Sequence, residues 1–270
     1  MDGCGQCSVG WVYVIYDLIF LQVKAASVRE KLLTKLRKDP VGFLKRIVQK
    51  GVIERWRYGK AGGDYDAAHY WHDRLARYGS SLRGVGDEGF SETDNARQYE
   101  EAAQTFLTAC QQLGLDFTQA HVLEIGPGTG FYTQLLATLG VQDCLAVDVT
   151  DAYFAQLQTQ FPTFRFVRKD VTADPIEGRY DIIVMIDVIE HIVTDEKLTR
   201  CFATLDHCLA DGGILLLAPI VPVGQKHLFY VRFWSLAEVT ARLPHYLWEK
   251  SVPFRDGQLF IARKPNRAAK

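Results

Sequence analysis

Residues 122–130 read VLEIGPGTG, and this stretch decides the fold. It begins with apolar residues typical of a buried strand and then turns through three glycines, which let a backbone approach a ligand closely. Apolar residues then recur at helical spacing from Phe131 to Leu139, so a helix is predicted to begin near Gly130. A strand that leads into a helix through a glycine turn predicts an α/β domain. A ligand is expected at the helix N-terminus, where backbone N–H groups are free to bind it.

The chain after residue 119 continues this alternation of strand and helix. Strands are predicted at residues 121–125, 144–149, 164–168, 180–186, 213–218, 246–252 and 258–263. Helical segments fit between the first five, which predicts parallel strands. The last two are joined only near Asp256 and Gly257, which predicts an antiparallel hairpin at the edge of the sheet. The predicted fold class is therefore α/β: a seven-stranded sheet of five parallel strands plus a C-terminal antiparallel hairpin, with helices on both faces.

The spacing of the glycines favours one class of nucleotide over another. A dinucleotide-binding loop reads G-x-G-x-x-G, but here the third glycine, Gly130, comes one residue early. Glu124 also stands two residues before the first glycine, Gly126. A carboxylate at that position suits an ammonium group and would repel a pyrophosphate. The loop therefore favours a nucleotide that carries an amino acid over NAD.

A second motif, YDIIVMIDVIEH, occupies residues 180–191. Its apolar strand ends at Asp187, and ligands bind at the carboxyl ends of strands in open α/β sheets. His191 is the candidate general base, because an unperturbed histidine has a pKa near 6.5. The alternative is a histidine that fixes the loop by hydrogen bonding. Glu190 is the second candidate catalytic residue and is expected to orient its neighbours.

These motifs, in this order, resemble those of the class I S-adenosylmethionine-dependent methyltransferases. The resemblance covers about residues 119–264 and implies a Rossmann-like fold, methyl transfer, and S-adenosyl-L-methionine as the cofactor. In that family the first strand and its glycine loop hold the methionine part of the cofactor. The matching residues here are Glu124, Gly126, Gly128, Thr129 and Gly130.

Carboxylates after the following strands complete the expected cofactor site. Asp148 closes the second strand, where a carboxylate can accept hydrogen bonds from both ribose hydroxyls. NAD-dependent enzymes use the same arrangement, so Asp148 does not discriminate between the two cofactors. The resemblance implies that Asp170 contacts the adenine amino group and that Val171 lies beside the ring, although an aspartate there is also a typical helix cap. Asp187 is the last residue of the predicted cofactor set.

The methyl acceptor is predicted from weaker signals. The D-V-x-E-H-I pattern resembles methyltransferases of small molecules, including quinones, and the N-P-P-Y tetrapeptide of DNA-base and glutamine methylation is absent. Two aromatic segments, 64–83 and 219–235, are predicted to close over the site, and they resemble a subgroup associated with glycan or cell-envelope biosynthesis. Packing against the domain is the alternative for each side chain. The candidate substrate-binding residues are Tyr70, Trp71, Arg83, His227, Tyr230 and Arg232.

We therefore expect a methyltransferase that acts on an oxygen of a small or a lipid- or glycan-linked acceptor. No metal is expected, since a sulfonium is already activated and transfer depends on positioning and exclusion of water. One alternative is an NAD(P)-dependent oxidoreductase on a similar fold, against which the early third glycine, Glu124 and the terminal hairpin all count. The other is a catalytically silent methyltransferase-like subunit that binds a partner, against which the intact acidic and glycine positions count.

Charge is distributed unevenly along the chain. The 270 residues carry 31 basic and 32 acidic side chains, but residues 1–60 hold 12 basic and only 5 acidic ones. We divide the chain into an apolar and basic helical extension (1–60), a helical lid region (61–118) and a methyltransferase domain (119–270). The basic charges either form solvated helix faces or attach the chain peripherally to an anionic membrane. No nucleic acid is expected as a partner, and the lack of a secretory-type N-terminus predicts a cytoplasmic protein.

Overall fold

The computed structural model describes residue 37 and residues 39–266, and the chain divides into two compact units, 1–53 and 54–270. In the first unit, helix α1 (Pro40–Val48) is followed by a π-helical segment (Gln49–Glu54) that runs on into the second. The Asp39 side chain begins α1, because its Oδ1 accepts a hydrogen bond of 2.8 Å from the Gly42 N–H. Residues 1–36 of the predicted apolar and basic helical extension lie outside the described residues.

The second unit begins with helices, as the sequence predicts for residues 61–118. They are α2 (Arg55–Tyr58), a 3₁₀ turn (Ala61–Gly63), α3 (Ala67–Tyr78) and α4 (Glu92–Gln112). Asp66 caps α3 by accepting a hydrogen bond from the His69 N–H, and Ser91 caps α4 by accepting one from the Asp94 N–H. Both caps satisfy N–H groups that a helix leaves without partners at its start, and this fixes where each helix begins.

Strands and helices then alternate up to Arg263. They are β1 (His121–Ile125), α5 (Phe131–Thr138), β2 (Asp143–Asp148), α6 (Phe154–Gln160), β3 (Arg165–Arg168), β4 (Tyr180–Ile186), a 3₁₀ turn (Ile189–His191), α7 (Asp195–Cys208), β5 (Leu209–Ile220), β6 (Gln225–Leu228), β7 (Val231–Phe233), α8 (Leu236–Thr240), β8 (Leu247–Phe254) and β9 (Gly257–Arg263). The seven-stranded sheet has the order β3-β2-β1-β4-β5-β9-β8. Its first five strands are parallel, and β9 is antiparallel to both β5 and β8. The predicted fold class is confirmed.

Helices cover both faces of the sheet, which explains why its central strands are apolar throughout. On one face Leu123 of β1 belongs to the same buried cluster as Phe202 of α7. On the other face Val122 belongs to a cluster with Phe106 of α4 and Leu136 of α5. Cys201 and Cys208 are buried on the inner side of α7, as small apolar residues at a spacing of seven would be.

The sequence interpretation missed one element. The connection predicted at 219–235 contains a two-stranded antiparallel sheet, β6 and β7. Its aromatic residues form a third buried cluster with Tyr58, Tyr65 and Tyr70 of the preceding helical region. Burial of these rings favours a paired hairpin over the open loop that the proline and glycine residues suggested. No helix in the described part of the chain is long and apolar enough to cross a membrane.

Candidate functional site

A cleft lies at the carboxyl ends of the parallel strands, between the sheet and α3. The space between its protein atoms, including the part that is open to solvent, is about 1030 Å³. Its floor comes from the segments that follow β1, β2, β3 and β4, and its opposite wall comes from the helical region before β1, with Tyr65, Trp71 and Leu75. The carboxyl edge of an open α/β sheet is where ligands bind, so this cleft is the candidate functional site.

The glycine loop forms the part of the cleft beside β1. Gly126, Gly128 and Gly130 have φ angles of 74°, 54° and 94°, a region that side chains rarely allow. A Cβ atom on Gly126 would lie 2.4 Å from Cγ2 of Val188, so the space there excludes any side chain. Gly126, Gly128 and Thr129 line the cleft, while Gly130 begins α5. The sequence prediction of a tight turn into a helix is confirmed.

Glu124 lies behind this loop and not in the lining of the cleft. Its carboxylate is 1% exposed, and Oε2 accepts a hydrogen bond of 2.8 Å from the Thr133 hydroxyl of α5. Oε1 has no hydrogen-bond partner among the described residues. Burial raises the pKa of this carboxyl to about 8, with a smaller contribution from the negative charge of Asp148. Glu124 is therefore largely protonated at neutral pH and ties β1 to α5.

Asp148 does line the cleft, at the end of β2. Its Oδ2 accepts a hydrogen bond of 3.2 Å from the Gly128 N–H, and its Oδ1 accepts one of 3.1 Å from the Thr150 N–H. Burial raises the pKa of this carboxyl to about 6, and the two backbone bonds oppose the rise. Asp148 therefore holds the glycine loop to the second strand and presents a carboxylate to the cleft.

Asp170 and Val171 follow β3 and also line the cleft. Oδ1 of Asp170 accepts two hydrogen bonds from Thr172, one from its N–H at 2.8 Å and one from its hydroxyl at 2.7 Å. The carboxylate thus has the turn-capping role that the sequence left open as an alternative. That role and a contact with a ligand are compatible, because both Asp170 and the buried Val171 border the same cavity.

Asp187, at the end of β4, is the centre of an ion-pair network. Its backbone has a left-handed φ of 57°, and its N–H donates to the Ala218 carbonyl at 3.0 Å. Its Oδ2 lies 2.9 Å from Nη2 of Arg255 and 3.4 Å from the Tyr132 hydroxyl. Burial raises the pKa of Asp187, and the guanidinium of Arg255 opposes this. The backbone geometry and the ion pair together turn this residue toward the cleft, which it lines.

Glu190 is 9% exposed and lies outside the lining of the cleft. Its Oε2 has no hydrogen-bond partner among the described residues. Burial and the nearby negative charge of Asp187 raise its pKa well above the usual range. A carboxyl that is buried beside Asp187 and lies outside the lining of the cleft matches an orienting role better than direct proton exchange with a ligand.

His191 lines the cleft and is held from three sides. Its Nδ1 lies 3.0 Å from the Tyr230 carbonyl oxygen, which can only accept, so the ring carries its proton on Nδ1 and leaves a lone pair on Nε2. The Trp71 ring contacts it edge-on at 4.7 Å between centroids, and the Tyr65 hydroxyl donates to its carbonyl oxygen at 3.1 Å. Burial lowers its pKa to about 4, so the ring is neutral at physiological pH.

Of the six candidate substrate-binding residues, the structure brings only Trp71 to the cleft. Tyr70 is buried behind it, where its hydroxyl accepts a hydrogen bond from Arg74. Tyr230 is buried in the same aromatic cluster and reaches the site through its carbonyl oxygen alone. His227 packs beside Phe233 on the β6–β7 sheet, away from the lining residues.

The two candidate arginines are engaged elsewhere, and this corrects the expectation that they face an acceptor. Arg83 donates to the Glu88 carbonyl at 2.8 Å within the loop before α4. Arg232 pairs with Asp195 at 2.7 Å and with Glu238 at 3.2 Å, and its guanidinium stacks 3.6 Å from the Trp234 ring centroid. Their sequence neighbourhood is aromatic because these segments form their own core, which is the packing alternative.

The sequence interpretation missed several residues that border the site. Lys197 lines the cleft from the first turn of α7 and pairs with Asp64 at 2.9 Å. Lys169 lines it beside Asp170, with its Nζ donating to the Pro175 carbonyl at 2.6 Å. Arg255 reaches Asp187 from the turn of the C-terminal hairpin. Lys169 directly follows β3, so its position after a parallel strand was a usable signal.

Comparison with known proteins agrees with this geometry. A family model described as a methyltransferase domain matches residues 122–213, which run from β1 to β5 and include the glycine loop, Asp148 and His191. No curated protein gives a significant match to the sequence.

Solved structures share the fold at low sequence identity. Magnesium protoporphyrin IX methyltransferase from Synechocystis PCC 6803, with bound S-adenosylhomocysteine, is 15% identical; the match covers 74% of this chain and 100% of that one, with a TM-score of 0.56. DhpI in complex with S-adenosylhomocysteine is 18% identical over 74% of this chain and 95% of its own, with a TM-score of 0.54. An S-adenosylmethionine-dependent methyltransferase from Clostridium acetobutylicum ATCC 824 is 13% identical over 62% and 92%, with a TM-score of 0.51.

Proposed function

We propose that this chain, which carries a methyltransferase domain and shares its fold with S-adenosylmethionine-dependent methyltransferases, is a class I enzyme of that kind and methylates an oxygen of a small or a lipid- or glycan-linked acceptor. One observation carries the proposal. The glycine loop and Asp148, which suit the cofactor, border the same cleft as the neutral His191, which suits a proton-losing acceptor. A structural neighbour is itself named for methylation of a small molecule, magnesium protoporphyrin IX.

The residues present fit the cofactor. Gly126 and Gly128 offer a backbone cradle that any Cβ atom would strain or fill. Asp148 presents its carboxylate at the end of β2 for the ribose hydroxyls, and Asp170 with Val171 borders the place expected for the adenine. Thr129 and Asp187 border the amino-acid part, while Glu124 acts from behind the loop by holding β1 to α5. When bound, S-adenosylmethionine supplies a methyl group already activated on a sulfonium.

His191 receives the proton that the acceptor loses. An O–H becomes strongly acidic as its oxygen is alkylated, so a base with a pKa of about 4 would be sufficient to accept the proton. The Tyr230 carbonyl fixes the tautomer that leaves Nε2 free to accept this proton. Trp71 and Tyr65 hold the ring in place and shield the cleft from water. Glu190 orients the turn beneath it.

The side chains on the cleft wall opposite the sheet favour an acceptor with a large apolar part. Tyr65, Trp71, Leu75 and Val85 face the cleft from the helical region before β1. The charge of Lys197 is neutralised by Asp64 at 2.9 Å, which leaves this wall without a dedicated site for an anion. A quinone-like or lipid-linked hydroxyl compound fits such a wall better than a bare sugar phosphate.

Calorimetry with S-adenosylhomocysteine and with NAD tests the cofactor assignment. We expect saturable binding of S-adenosylhomocysteine and none of NAD. Asp148→Ala should weaken that binding about 10- to 100-fold, because it removes a charged hydrogen-bond acceptor and an anchor of the loop. Asp143→Ala, at the exposed start of the same strand, is the matched control and should bind normally. Binding of NAD alone would indicate the oxidoreductase instead. Unchanged affinity of Asp148→Ala for S-adenosylhomocysteine would show that the cofactor does not bind in this cleft.

The first unit supports a second proposal, peripheral attachment to an anionic membrane through residues 1–60. Val41, Val48 and Val52 are exposed at spacings of seven and four residues in the α1 and π-helical segment, and the exposed Lys45 lies between them. Exposed apolar side chains next to basic ones are typical of helices that lie at a lipid surface.

Liposome flotation tests this attachment. The chain should float with vesicles that contain phosphatidylserine and not with pure phosphatidylcholine. The pair Val48→Glu with Val52→Glu should abolish flotation, since it places negative charge against the anionic surface. Val223→Glu, at a position that is also exposed but lies in the second unit, is the control and should float. Equal recovery of all three proteins would remove the membrane proposal.

A further inference from the structure

The C-terminal hairpin contacts Asp187, a residue of the cleft lining, through the side chain of Arg255. The hairpin turns through Arg255 and Asp256, since Phe254 pairs with Gly257. Because β9 is antiparallel to β5, its first residues lie at the carboxyl end of β5: Gln258 pairs with Ile220. The turn is therefore at the edge of the sheet where the cleft opens, although Arg255 itself is not in the cleft lining.

Residues from three other elements surround the ion pair that this guanidinium forms. Nη2 of Arg255 lies 2.9 Å from Oδ2 of Asp187 at the end of β4. The guanidinium stacks 4.4 Å from the centroid of the Tyr99 ring, from α4. The Tyr132 hydroxyl, from the first turn of α5, approaches the same Asp187 oxygen at 3.4 Å. The ion pair is largely shielded, with side-chain exposures of 18% for Arg255 and 17% for Asp187, so water screens it only weakly.

Both partners of this ion pair have unusual backbone conformations. Asp187 has φ of 57° and Arg255 has φ of 47°, and they are the two non-glycine residues with positive φ in the described part of the chain. A left-handed conformation costs energy for a residue with a side chain, more so for arginine than for aspartate. Such strain persists where the surroundings hold it in place, and it is concentrated at ligand sites.

We propose that Arg255 is a positioning residue for cofactor binding: it holds Asp187 ionised and turned into the cleft, where Asp187 accepts the ammonium group of the amino-acid part of the cofactor. This inference rests on the proposed function. It gives Asp187 the role that the sequence suggested for Glu124, whose buried carboxyl does not reach the cleft. Arg255 acts only through Asp187 and touches neither reactant.

The charged and titratable groups around Asp187 determine how the loss of Arg255 would change the ionisation of Asp187. It faces Arg255 from the hairpin, Tyr132 from α5, Tyr99 beside the guanidinium, and Glu190 from the turn after β4. Of these, Arg255 is the cation, and its charge is the largest factor that opposes the rise in the pKa of Asp187 caused by burial. Without Arg255 the pKa of Asp187 rises further, so a smaller fraction of this carboxyl is ionised at any given pH, and that fraction increases as the pH rises.

Arg255→Met tests the inference by calorimetry with S-adenosylhomocysteine between pH 6 and pH 8.5, each value taken relative to the wild-type chain at the same pH. The variant should bind about 10- to 100-fold more weakly at pH 7, and the deficit should shrink as pH rises. Arg255→Lys, which keeps the charge, should restore most of the affinity. Arg263→Met removes another ion pair of the same hairpin, with Glu249 at 2.8 Å, and should bind like the wild type at every pH.

Asp187→Asn completes the test as a double-mutant cycle. It should weaken binding by a similar factor, and adding Arg255→Met to it should cause little further loss, because the two residues act as one unit. If Arg255→Met does not fold, as thermal denaturation would show, Arg255→Gln replaces it.

Two results would overturn the inference. One is wild-type affinity in Arg255→Met and Arg255→Gln, and the other is a loss that is equal at every pH and not rescued by lysine, which is the pattern of a purely structural anchor. Failure of the wild-type chain to bind S-adenosylhomocysteine would instead overturn the proposed function, and this inference with it.

Discussion

His191→Ala is expected to lower kcat by about 10²- to 10⁴-fold while the affinity for S-adenosylhomocysteine stays within a few-fold of wild type. In the proposed function Nε2 takes the proton of the acceptor, whereas the glycine loop and the carboxylates that follow the other strands bind the cofactor. Once an acceptor has been identified by metabolite screening, steady-state kinetics gives kcat and calorimetry gives the affinity.

The pH profile of the wild-type enzyme provides a second measure of His191. Because burial lowers its pKa to about 4, its neutral form dominates above that pH. We expect no loss of kcat that follows a pKa near 6.5, and a fall only as the pH approaches 4. His121→Ala is the control and should leave kcat unchanged. The exposed His121 ring lies at the start of β1, where it pairs with Asp181 of β4. If His191→Ala keeps its kcat, the histidine only fixes the loop.

Gly126→Ala is expected to lower the free energy of unfolding by about 2 to 4 kcal/mol and to abolish measurable cofactor binding. Two costs combine at this position. The φ angle of 74° disfavours any side chain, and the new Cβ atom would lie 2.4 Å from Cγ2 of the branched Val188. Relief of the contact requires either the loop or the Val188 side chain, both of which line the cleft, to shift. Chemical denaturation and calorimetry measure the two effects.

Gly114→Ala is the matched control for this change. Gly114 also has a left-handed φ, of 60°, but nothing lies within 4 Å of the Cβ position, and it lies outside the residues that line the cleft. It should lose about 1 to 2 kcal/mol, the cost of the backbone conformation alone, and bind the cofactor normally. Adding Val188→Ala to Gly126→Ala should recover part of the stability. Equal losses in Gly126→Ala and Gly114→Ala would show that the close approach is unimportant.

The sequence predicts the fold well because the deciding signals are local. Strand β1, the glycine turn and the start of α5 are adjacent in the chain, and each has a clear apolar period or a glycine that requires a positive φ. The short connection at Asp256 predicts the final hairpin for the same reason. Asp148 and Asp170 are predicted at the cleft because each directly follows a parallel strand.

The acceptor residues are predicted poorly because they depend on packing between distant segments. An aromatic ring in the 64–83 segment faces either the cleft or the neighbouring β6–β7 sheet, and the helical period alone does not decide which. Trp71 faces the cleft, whereas Tyr70, one residue earlier, is buried among Tyr58, Tyr65 and Phe229. Arg232 resembled an anion-binding residue until its partners Asp195 and Glu238 were known.

Arg255 could have been predicted by one further step of topology. A strand that is antiparallel to β5 must begin beside the end of β5. The turn that precedes such a strand therefore lies at the carboxyl edge of the parallel strands, where ligand-binding residues are found. The sequence interpretation treated the hairpin only as a mark of the fold. Its turn residue is, by this reasoning, also a candidate member of the site.

The position of β9 has a consequence for how the protein is made. This strand comes last along the chain but lies inside the sheet, between β5 and β8. During synthesis the glycine loop and Asp148 emerge from the ribosome more than a hundred residues before Arg255 does. Until the final strand inserts, β5 has an unpaired edge and Asp187 lacks its cation. A nascent chain therefore has the glycine loop early but forms the ion pair between Asp187 and Arg255 only after the C-terminal hairpin has been released.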